Sequence, residues 1–335
     1  MKRNLILGIE TSCDETSICV LENGHKILAN IISTQIPIHQ KYGGVVPEIA
    51  SRQHVEAIAP VLETALEQAQ AELNEIDAIA VTYGPGLVGA LLVGLTFAKG
   101  LAFALDKPLI GVNHLEGHFY ANYLCHEELK PPFVALVVSG GHTSLLNVKD
   151  FHKFEVLGQT QDDAAGEAFD KVARVLGLGY PGGPKVDAAA RLGNPEAVKF
   201  PKAKLSGWYD FSFSGLKSAV INYLHNAQQS GVTIDTNDVC AAFQEAVVEA
   251  IVDKCLLAVS DLGYDKLVMA GGVSANSRLR EVLQQKLGEQ KTGLYYPNNI
   301  LCTDNAAMIA CRGYYLFTEG YRSSWKLNAD PALNI

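Results

Sequence analysis

The stretch Ile6-Leu7-Gly8-Ile9-Glu10-Thr11-Ser12, continuing to Thr16-Ser17-Ile18-Cys19-Val20, decides the fold class of this chain. It predicts a buried apolar strand, a turn of small and acidic residues, and a second apolar strand. Residues 133–146 repeat this pattern, with Ser139-Gly140-Gly141 at the turn. An internal echo of this kind predicts two duplicated α/β lobes around a nucleotide cleft, into which each turn points backbone N–H groups.

The rest of the chain predicts strand–turn–helix units. An apolar run over residues 76–82 precedes Gly84-Pro85-Gly86, and a second run over residues 266–270 precedes Gly271-Gly272. A helix is expected after each turn, because glycine and proline end a strand and a long apolar or amphipathic segment follows.

The predicted lobe boundary follows a short strand over residues 109–113. We expect residues 1–113 to form the N-terminal lobe and residues 114–335 the C-terminal lobe, with the helix from about residue 304 packing back toward the first lobe. That helix is expected to carry Asp304 in its first turn, where the helix dipole favours an acid.

Composition limits the classes of function. The chain has 335 residues, of which 48% are hydrophobic and 19% charged, as expected for an enzyme folded almost throughout. Its net charge of −9 disfavours direct attraction of nucleic acid, so a nucleic-acid substrate would need the help of a partner. Seven scattered cysteines without a Cys-x-x-Cys pair indicate a reducing cytoplasm.

Targeting and membrane segments are not expected. The apolar run near the N-terminus is too short for a signal peptide and predicts a first strand. Residues 87–105 contain Lys99 and three glycines, which favours a buried core helix over a membrane span.

A metal site is the strongest chemical prediction. His114 and His118 stand four residues apart, so a helix would project both imidazoles from one face. Asp304 is the candidate third ligand, and two imidazoles with one carboxylate suit ferrous iron or zinc better than magnesium. The alternative is a pair of buried, hydrogen-bonded histidines, with Gly117 weakening the helix between them.

Glycine turns and an acidic helix favour nucleotide binding. Ser139-Gly140-Gly141 and Gly271-Gly272 each follow a buried strand, and such turns let the backbone approach phosphate or purine closely. Asp163, Glu167 and Asp170 are expected on one helical face, where they could hold ribose hydroxyls or form a solvated surface. Cys13 beside Asp14 and Glu15 is not expected to be a nucleophile.

Several motifs, read in order, resemble one family. They are Gly8-Ile9-Glu10-Thr11-Ser12-Cys13-Asp14-Glu15-Thr16, Tyr42-Gly43-Gly44-Val45-Val46-Pro47-Glu48, Gly84-Pro85-Gly86-Leu87, His114-Leu115-Glu116-Gly117-His118 and Val138-Ser139-Gly140-Gly141-His142-Thr143, with later blocks through Asp304. The family is the bacterial tRNA N6-adenosine threonylcarbamoyltransferase (TsaD) family, formerly labelled O-sialoglycoprotein endopeptidases, and the resemblance spans essentially the whole chain.

The resemblance implies a fold and a reaction. The fold is the actin-like ATPase fold of sugar kinases, Hsp70 and actin. The reaction transfers the threonylcarbamoyl group of threonylcarbamoyl-AMP to N6 of adenosine 37 in tRNAs that read codons beginning with adenine, and AMP leaves.

The resemblance also implies site residues. Carried over by motif, the metal ligands are His114, His118 and Asp304, with one divalent metal that is usually given as Fe2+, while Zn2+ stays open. The substrate-binding positions are Val137, Val138, Ser139, Gly140, Gly141, Asp170, Gly183, Asp187 and Asn276. We hypothesise that an adenylate or ATP-type nucleotide is held by the backbone amides of residues 139–141, and that Glu15 or Asp14 is the catalytic base.

Partners follow from the same resemblance. They are tRNA, threonylcarbamoyl-AMP, a paralogous actin-like subunit (TsaB), a P-loop ATPase subunit (TsaE) and a separate enzyme that makes the adenylate; a membrane is not among them. Three rival functions remain, namely a metallopeptidase, a non-catalytic ATP-binding scaffold and a sugar kinase. The peptidase lacks its base, because Leu115 stands where a His-Glu-x-x-His motif has glutamate.

Overall fold

A computed structural model describes residues 3–201, 205 and 207–335. The chain divides into two compact units, Met1–Leu129 with Pro297–Ile335, and Lys130–Tyr296. The strands are β1 Leu5–Glu10, β2 Glu15–Glu22, β3 Lys26–Thr34, β4 Ala78–Gly84, β5 Leu109–Asn113, β6 Phe133–Val138, β7 Thr143–Asp150, β8 Lys153–Gln159, β9 Lys266–Ala270 and β10 Gly293–Tyr295. The helices are α1 Ile36–His39, α2 Pro47–Ala69, α3 Val88–Ala104, α4 His114–Tyr120, α5 Ala165–Val175, α6 Gly182–Ala190, α7 Ser214–Ser230, α8 Thr236–Leu262, α9 Ser277–Glu289, α10 Asn299–Cys302 and α11 Ala306–Thr318.

The first unit is built on a five-stranded sheet in the order β3-β2-β1-β4-β5. Strand β1 pairs antiparallel with β2 and parallel with β4, and all six of its residues are buried. Helix α11 lies directly against this strand, because a Cβ at Gly8 would stand 2.4 Å from the Ala306 carbonyl oxygen. Helices α2 and α3 also pack on this sheet.

The second unit repeats this arrangement with the order β10-β9-β6-β7-β8. Strand β6 pairs antiparallel with β7 and parallel with β9, as β1 does with β2 and β4. Buried residues of β6, β7 and β9 form one core with helices α5, α6, α7, α8 and α9. The predicted strand–turn–strand echo is therefore confirmed as two equivalent hairpins, each beside a parallel strand.

The units divide at a different place from the predicted lobe boundary. The first unit continues past Asn113 to Leu129, so that α4 belongs to it. The physical reason is the close packing of α4 on α11, where a Cβ at Gly117 would stand 2.7 Å from Ile309 Cδ1. The chain from Pro297 onward, including α11, is also part of the first unit.

The start of α11 corrects one expectation. The helix begins at Ala306, and the Asn305 side chain caps it by accepting a hydrogen bond of 3.2 Å from the Met308 amide. Asp304 therefore precedes the cap and does not lie in the first helical turn. Among the described helices, including the apolar α3, none combines the length and hydropathy that a membrane crossing requires.

Candidate metal centre

Helix α4 brings His114 and His118 together. The Asn113 side chain caps the helix by accepting a hydrogen bond from the Leu115 amide at 2.9 Å. The two imidazole rings are one helical turn apart, and their centroids lie 4.6 Å from each other in an edge-to-face arrangement. Both residues are buried, His114 at 6% exposed and His118 at 1%.

Asp304 approaches the same two rings from the loop before α11. Its Oδ1 lies 3.5 Å from His114 Nε2 and 3.3 Å from His118 Nε2. One ligand atom from each of the three residues falls within 4.8 Å of the others, a spacing that can hold a metal ion. The packing of α4 on α11 thus joins residues far apart in the sequence.

Glu10, which was not among the predicted site residues, orients His114. It ends β1, is fully buried, and its Oε2 accepts hydrogen bonds from His114 Nδ1 at 3.0 Å and from Thr82 Oγ1 at 2.6 Å. This bond leaves Nε2 of His114 facing Asp304. The signal in the sequence was an acid at the end of an otherwise apolar strand, because a buried carboxylate needs a partner.

The buried charges shift the pKa values of this group. Burial lowers the pKa of His114, but the negative charges of Glu10 and Asp304 outweigh it and raise the pKa to about 9. For Glu10, burial raises the pKa, while the charge and hydrogen bond of His114 bring it below its usual range. Burial lowers the pKa of His118, which therefore favours the neutral imidazole that binds metals.

The donor set fits a divalent transition metal. Both ring nitrogens of His118 are buried, and neither has a hydrogen-bond partner. An imidazole that makes no hydrogen bond in the protein interior is costly, and a metal ion shared with the nearby Asp304 carboxylate would satisfy it. Two imidazoles and one carboxylate match the ligands of ferrous iron and zinc sites.

The first turn carries two carboxyl groups beside this centre. Asp14 is buried, and Glu15 accepts a hydrogen bond from Thr34 Oγ1 at 3.0 Å. Burial, then the charges of Asp14 and Asp304, raise the pKa of Glu15 well above its usual range. Burial and the same acidic surroundings raise the pKa of the Cys13 thiol, as the sequence predicted, which disfavours a thiolate nucleophile.

The two glycine turns of the second unit lie next to each other. Gly271 has φ 89°, and a Cβ there would stand 2.4 Å from the Val138 carbonyl oxygen. A Cβ at Gly166 in α5 would stand 2.8 Å from the Cα of Gly140. The structure therefore brings the ends of β6 and β9 and the start of α5 into close contact.

The backbone amide of Ser139 donates a hydrogen bond within its own hairpin. It donates a hydrogen bond of 2.8 Å to the His142 carbonyl, and the Ser139 hydroxyl accepts one from the His142 amide. The Ser139 amide therefore closes the hairpin in this structure, and the prediction that the amides of residues 139–141 hold the adenylate stays a prediction. Gly140 and Gly141 are exposed at the tip of that turn.

The acidic helix also differs from the prediction. Asp163 lies before α5, outside the helix, and its two carboxylate oxygens each accept a hydrogen bond of 2.9 Å, from Lys171 and Lys217. Charge pairs occupy Asp163, so the ribose interpretation does not apply to it. Asp170 lies within α5 and accepts a hydrogen bond of 2.6 Å from the Gly182 amide.

The remaining predicted substrate positions lie in α6 and at the N-terminal cap of α9. Gly183 lies in the first turn of α6, and Asp187 follows one turn later. Asp187 accepts a hydrogen bond from Ser277 Oγ at 2.7 Å. The Asn276 side chain caps α9 and donates to Gln244 Oε1 at 2.7 Å. The Asp187–Ser277 hydrogen bond thus joins α6 to the start of α9.

Comparison with known proteins finds relatives that match nearly the whole chain. The family model described as tRNA N6-adenosine threonylcarbamoyltransferase (TsaD) matches residues 26–311. A protein of that name from Clostridium kluyveri is 58% identical over 332 residues, covering 98% of this chain and 97% of its own length. Another from Clostridioides difficile is 56% identical, covering 99% and 98%.

Solved structures with low sequence identity share the fold. HypF from T. kodakarensis superposes with a TM-score of 0.65 at 14% identity, covering 97% of this chain and 49% of that one. Component A of the Acidaminococcus fermentans (R)-2-hydroxyglutaryl-CoA dehydratase gives 0.55 at 17% identity, covering 93% and 98%. The predicted actin-like α/β fold is confirmed.

Proposed function

The chain belongs to the tRNA N6-adenosine threonylcarbamoyltransferase family, and on that premise we propose how its residues divide the work of the transfer. It is a transferase that modifies tRNA. The proposal adds that the donor is threonylcarbamoyl-AMP, that the acceptor is N6 of adenosine 37 in tRNAs reading codons that begin with adenine, and that AMP leaves.

His114, His118 and Asp304 would hold one divalent metal, Fe2+ in preference to Zn2+. The observation that supports this most strongly is the buried His118 ring, whose two nitrogens have no hydrogen-bond partner while Asp304 lies 3.3 Å away. When bound, such a metal supplies Lewis acidity toward a carbonyl oxygen. Glu10 keeps His114 in the orientation that leaves Nε2 available.

Glu15 and Asp14 are the proposed acceptors for the proton that N6 of adenine loses. The raised pKa of Glu15 suits this role, because its carboxylate binds a proton more strongly than an ordinary carboxylate does. The Asp14 charge, which contributes to that shift, is then a tuning charge for Glu15.

The second unit would bind the adenylate. The proposed contacts are the exposed turn at Gly140 and Gly141, where the backbone can approach a phosphate, and the positions Asp170, Gly183, Asp187 and Asn276. Val137 and Val138 are buried in β6 and would act by holding this turn in place. The Ser139 amide donates to the His142 carbonyl, so Ser139 would contribute by holding the turn that carries Gly140 and Gly141.

The negative charge of both the chain and tRNA is the reason for proposing partner proteins. The chain carries a net charge of −9, so tRNA phosphates are repelled on average. A paralogous actin-like subunit (TsaB) and a P-loop ATPase (TsaE) would complete the tRNA-binding surface, and a separate enzyme would supply the adenylate.

The test is transfer from synthetic threonylcarbamoyl-AMP to an unmodified tRNA transcript, with partner proteins supplied and nucleosides measured by mass spectrometry. We expect modified adenosine with the wild type and a loss of about 100-fold or more with His118→Ala. His126→Ala is the matched control, because His126 is partly exposed and lies outside the proposed ligand set. Equal product from wild type and His118→Ala would refute the proposed metal role.

A further inference from the structure

The segment that follows α11 covers the free edge of the first sheet. Strand β5 is the last strand in that sheet. Ser323 forms hydrogen bonds with the outer side of β5. The Ser323 amide donates to the Leu109 carbonyl and the Gly111 amide donates to Ser323 Oγ, both at 2.8 Å. Leu327 packs on Gly111, where a Cβ would stand 2.7 Å from Leu327 Cδ2.

The same segment then crosses the end of β4. The Asp330 amide donates to the Tyr83 carbonyl at 2.8 Å, and the Pro331 carbonyl accepts from the Gly86 amide at 3.3 Å. The contact is close, because a Cβ at Gly84 would stand 2.0 Å from the Asp330 carbonyl oxygen. We name residues 330–334 the strap.

The strap ends at the cap of α4. Asn113 Nδ2 donates a hydrogen bond of 3.0 Å to the Asn334 carbonyl, while Asn113 Oδ1 accepts the 2.9 Å bond from the Leu115 amide. The Asn113 side chain is 5% exposed, so water competes weakly for these bonds. One amide group therefore joins the strap to the helix whose first residue is His114.

We propose that the strap is a positioning segment for the metal-binding helix, acting through Asn113. Helix α4 has seven residues and is too short to be stable from its own backbone bonds. Its start is held by the Asn113 amide, whose rotamer the Asn334 carbonyl fixes. The predicted effect on metal binding rests on the proposed function, in which His114 and His118 are metal ligands.

Two variants distinguish the effect of the strap from the effect of the helix cap. Asn113→Ser keeps a hydroxyl that caps a helix well but is too short to reach the Asn334 carbonyl. A chain ending at Ala329 keeps Asn113 and removes the strap. Asp235→Ser is the matched control, because Asp235 caps α8 through the Asn237 amide and has no strap beside it.

The first measurement is amide hydrogen exchange of residues 113–120 in metal-free protein. We expect about tenfold faster exchange in Asn113→Ser and in the shortened chain, and unchanged exchange there in Asp235→Ser. Combining Asn113→Ser with the shortened chain should add nothing further to exchange in α4, since both remove the Asn113–Asn334 hydrogen bond. Unchanged exchange in the shortened chain, or additive effects of the two changes, would overturn the inference.

The second measurement is Zn2+ affinity by competition with a chromophoric chelator. We expect the two changes to weaken binding about tenfold each and about tenfold together. Weakening in the shortened chain but not in Asn113→Ser would contradict the route through Asn113. If the wild type bound no Zn2+ or Fe2+, the metal assignment would fall, and hydrogen exchange alone would decide whether the strap holds α4.

Discussion

Glu10 is the residue on which the electrostatics of the candidate metal centre depend. Its carboxylate is fully buried, hydrogen-bonded to His114 Nδ1 and Thr82 Oγ1, and it raises the pKa of His114 together with Asp304. A histidine must lose its proton before it binds a metal. Below a pH of about 9, metal binding to the wild type therefore releases a proton from His114.

This gives a prediction for the pH dependence of metal affinity. The apparent affinity of the wild type should rise about tenfold per pH unit from 6.5 toward 9. In Glu10→Gln the His114 pKa should fall toward its usual range, so the rise should stop near pH 6.5. At pH 9, where competition by protons is weak, Glu10→Gln should bind about 10- to 100-fold more weakly. Chelator-buffered Zn2+ titrations at several pH values would measure both, and parallel pH profiles for the two proteins would contradict the role of Glu10.

Residue positions near the site were predictable to different degrees. The spacing of His114 and His118 was sufficient for their pairing, because a helix fixes which side chains share a face. Glu10 was missed, because its partner lies 104 residues away in the chain and no local pattern links them. The occupied amide of Ser139 was also missed, since hairpin closure by His142 depends on the turn geometry.

At the scale of elements, the packing of α4 on α11 brings the three candidate metal ligands together. Arg312 of α11 donates hydrogen bonds to Glu116 Oε2 at 2.5 Å and to the Tyr120 hydroxyl at 2.9 Å, with both partners on α4. The Arg312 side chain is 6% exposed and that of Glu116 17%. These contacts fix the relative position of the two helices, and Asp304 directly precedes one of them.

Arg312→Leu should therefore lower the free energy of unfolding by about 3 kcal/mol, because it leaves the Glu116 carboxylate buried without its partner. Arg322→Leu is the control, since Arg322 is exposed just after α11, and its change should stay below about 0.5 kcal/mol. Urea denaturation followed by circular dichroism measures both. Equal stability of the two variants would show that the buried pair contributes nothing.

The contact of α11 with β1 gives a second prediction at this scale. A Cβ at Gly8 would meet the Ala306 backbone and the Ala310 side chain, so Gly8→Ala should destabilise the protein by about 2 kcal/mol. Gly100→Ala lies inside α3 with nothing within 4 Å and should stabilise it by up to about 1 kcal/mol. Thermal unfolding of the two variants should show midpoint shifts of opposite sign, and a stable Gly8→Ala would contradict this packing.

Element types were largely predictable, and their exact starts were not. Apolar runs and glycine breaks indicated β1, β4, β5, β6 and β9, all of which are present. The start of α11 was placed wrongly, because either Asp304 or Asn305 is a suitable cap and only the backbone geometry selects Asn305. The prediction that Asp163 lies on a helix was wrong for a related reason, since α5 begins only at Ala165.

At the scale of the whole molecule, the first unit is discontinuous in sequence. It combines Met1–Leu129 with Pro297–Ile335, whereas Lys130–Tyr296 is one continuous stretch with its own core. Sequence patterns marked a boundary near Asn113, because a change of motif is visible there. The return of the chain was also predicted, for the helix from about residue 304, and α11 does belong to the first unit.

Fragments should differ accordingly. Residues 130–296 expressed alone should unfold cooperatively, since their core contains no residue from the other unit. Residues 1–129 alone should not, because they lack α11, whose residues from Ala306 to Gly313 are all buried. Circular dichroism and hydrogen exchange of the two fragments would measure this, and a cooperative transition of 1–129 would contradict the account.

The central claim is that a tRNA threonylcarbamoyl transfer depends on a metal held by His114, His118 and Asp304. The most direct measurement is threonylcarbamoyladenosine formation by chelator-treated protein as Fe2+ is added back, with threonylcarbamoyl-AMP, tRNA and partner proteins supplied. The account predicts that treated wild type forms little product, that activity returns at about one equivalent of metal, and that Asp304→Ala is not restored. Undiminished transfer after chelation, or restoration of Asp304→Ala to the wild-type level, would contradict it.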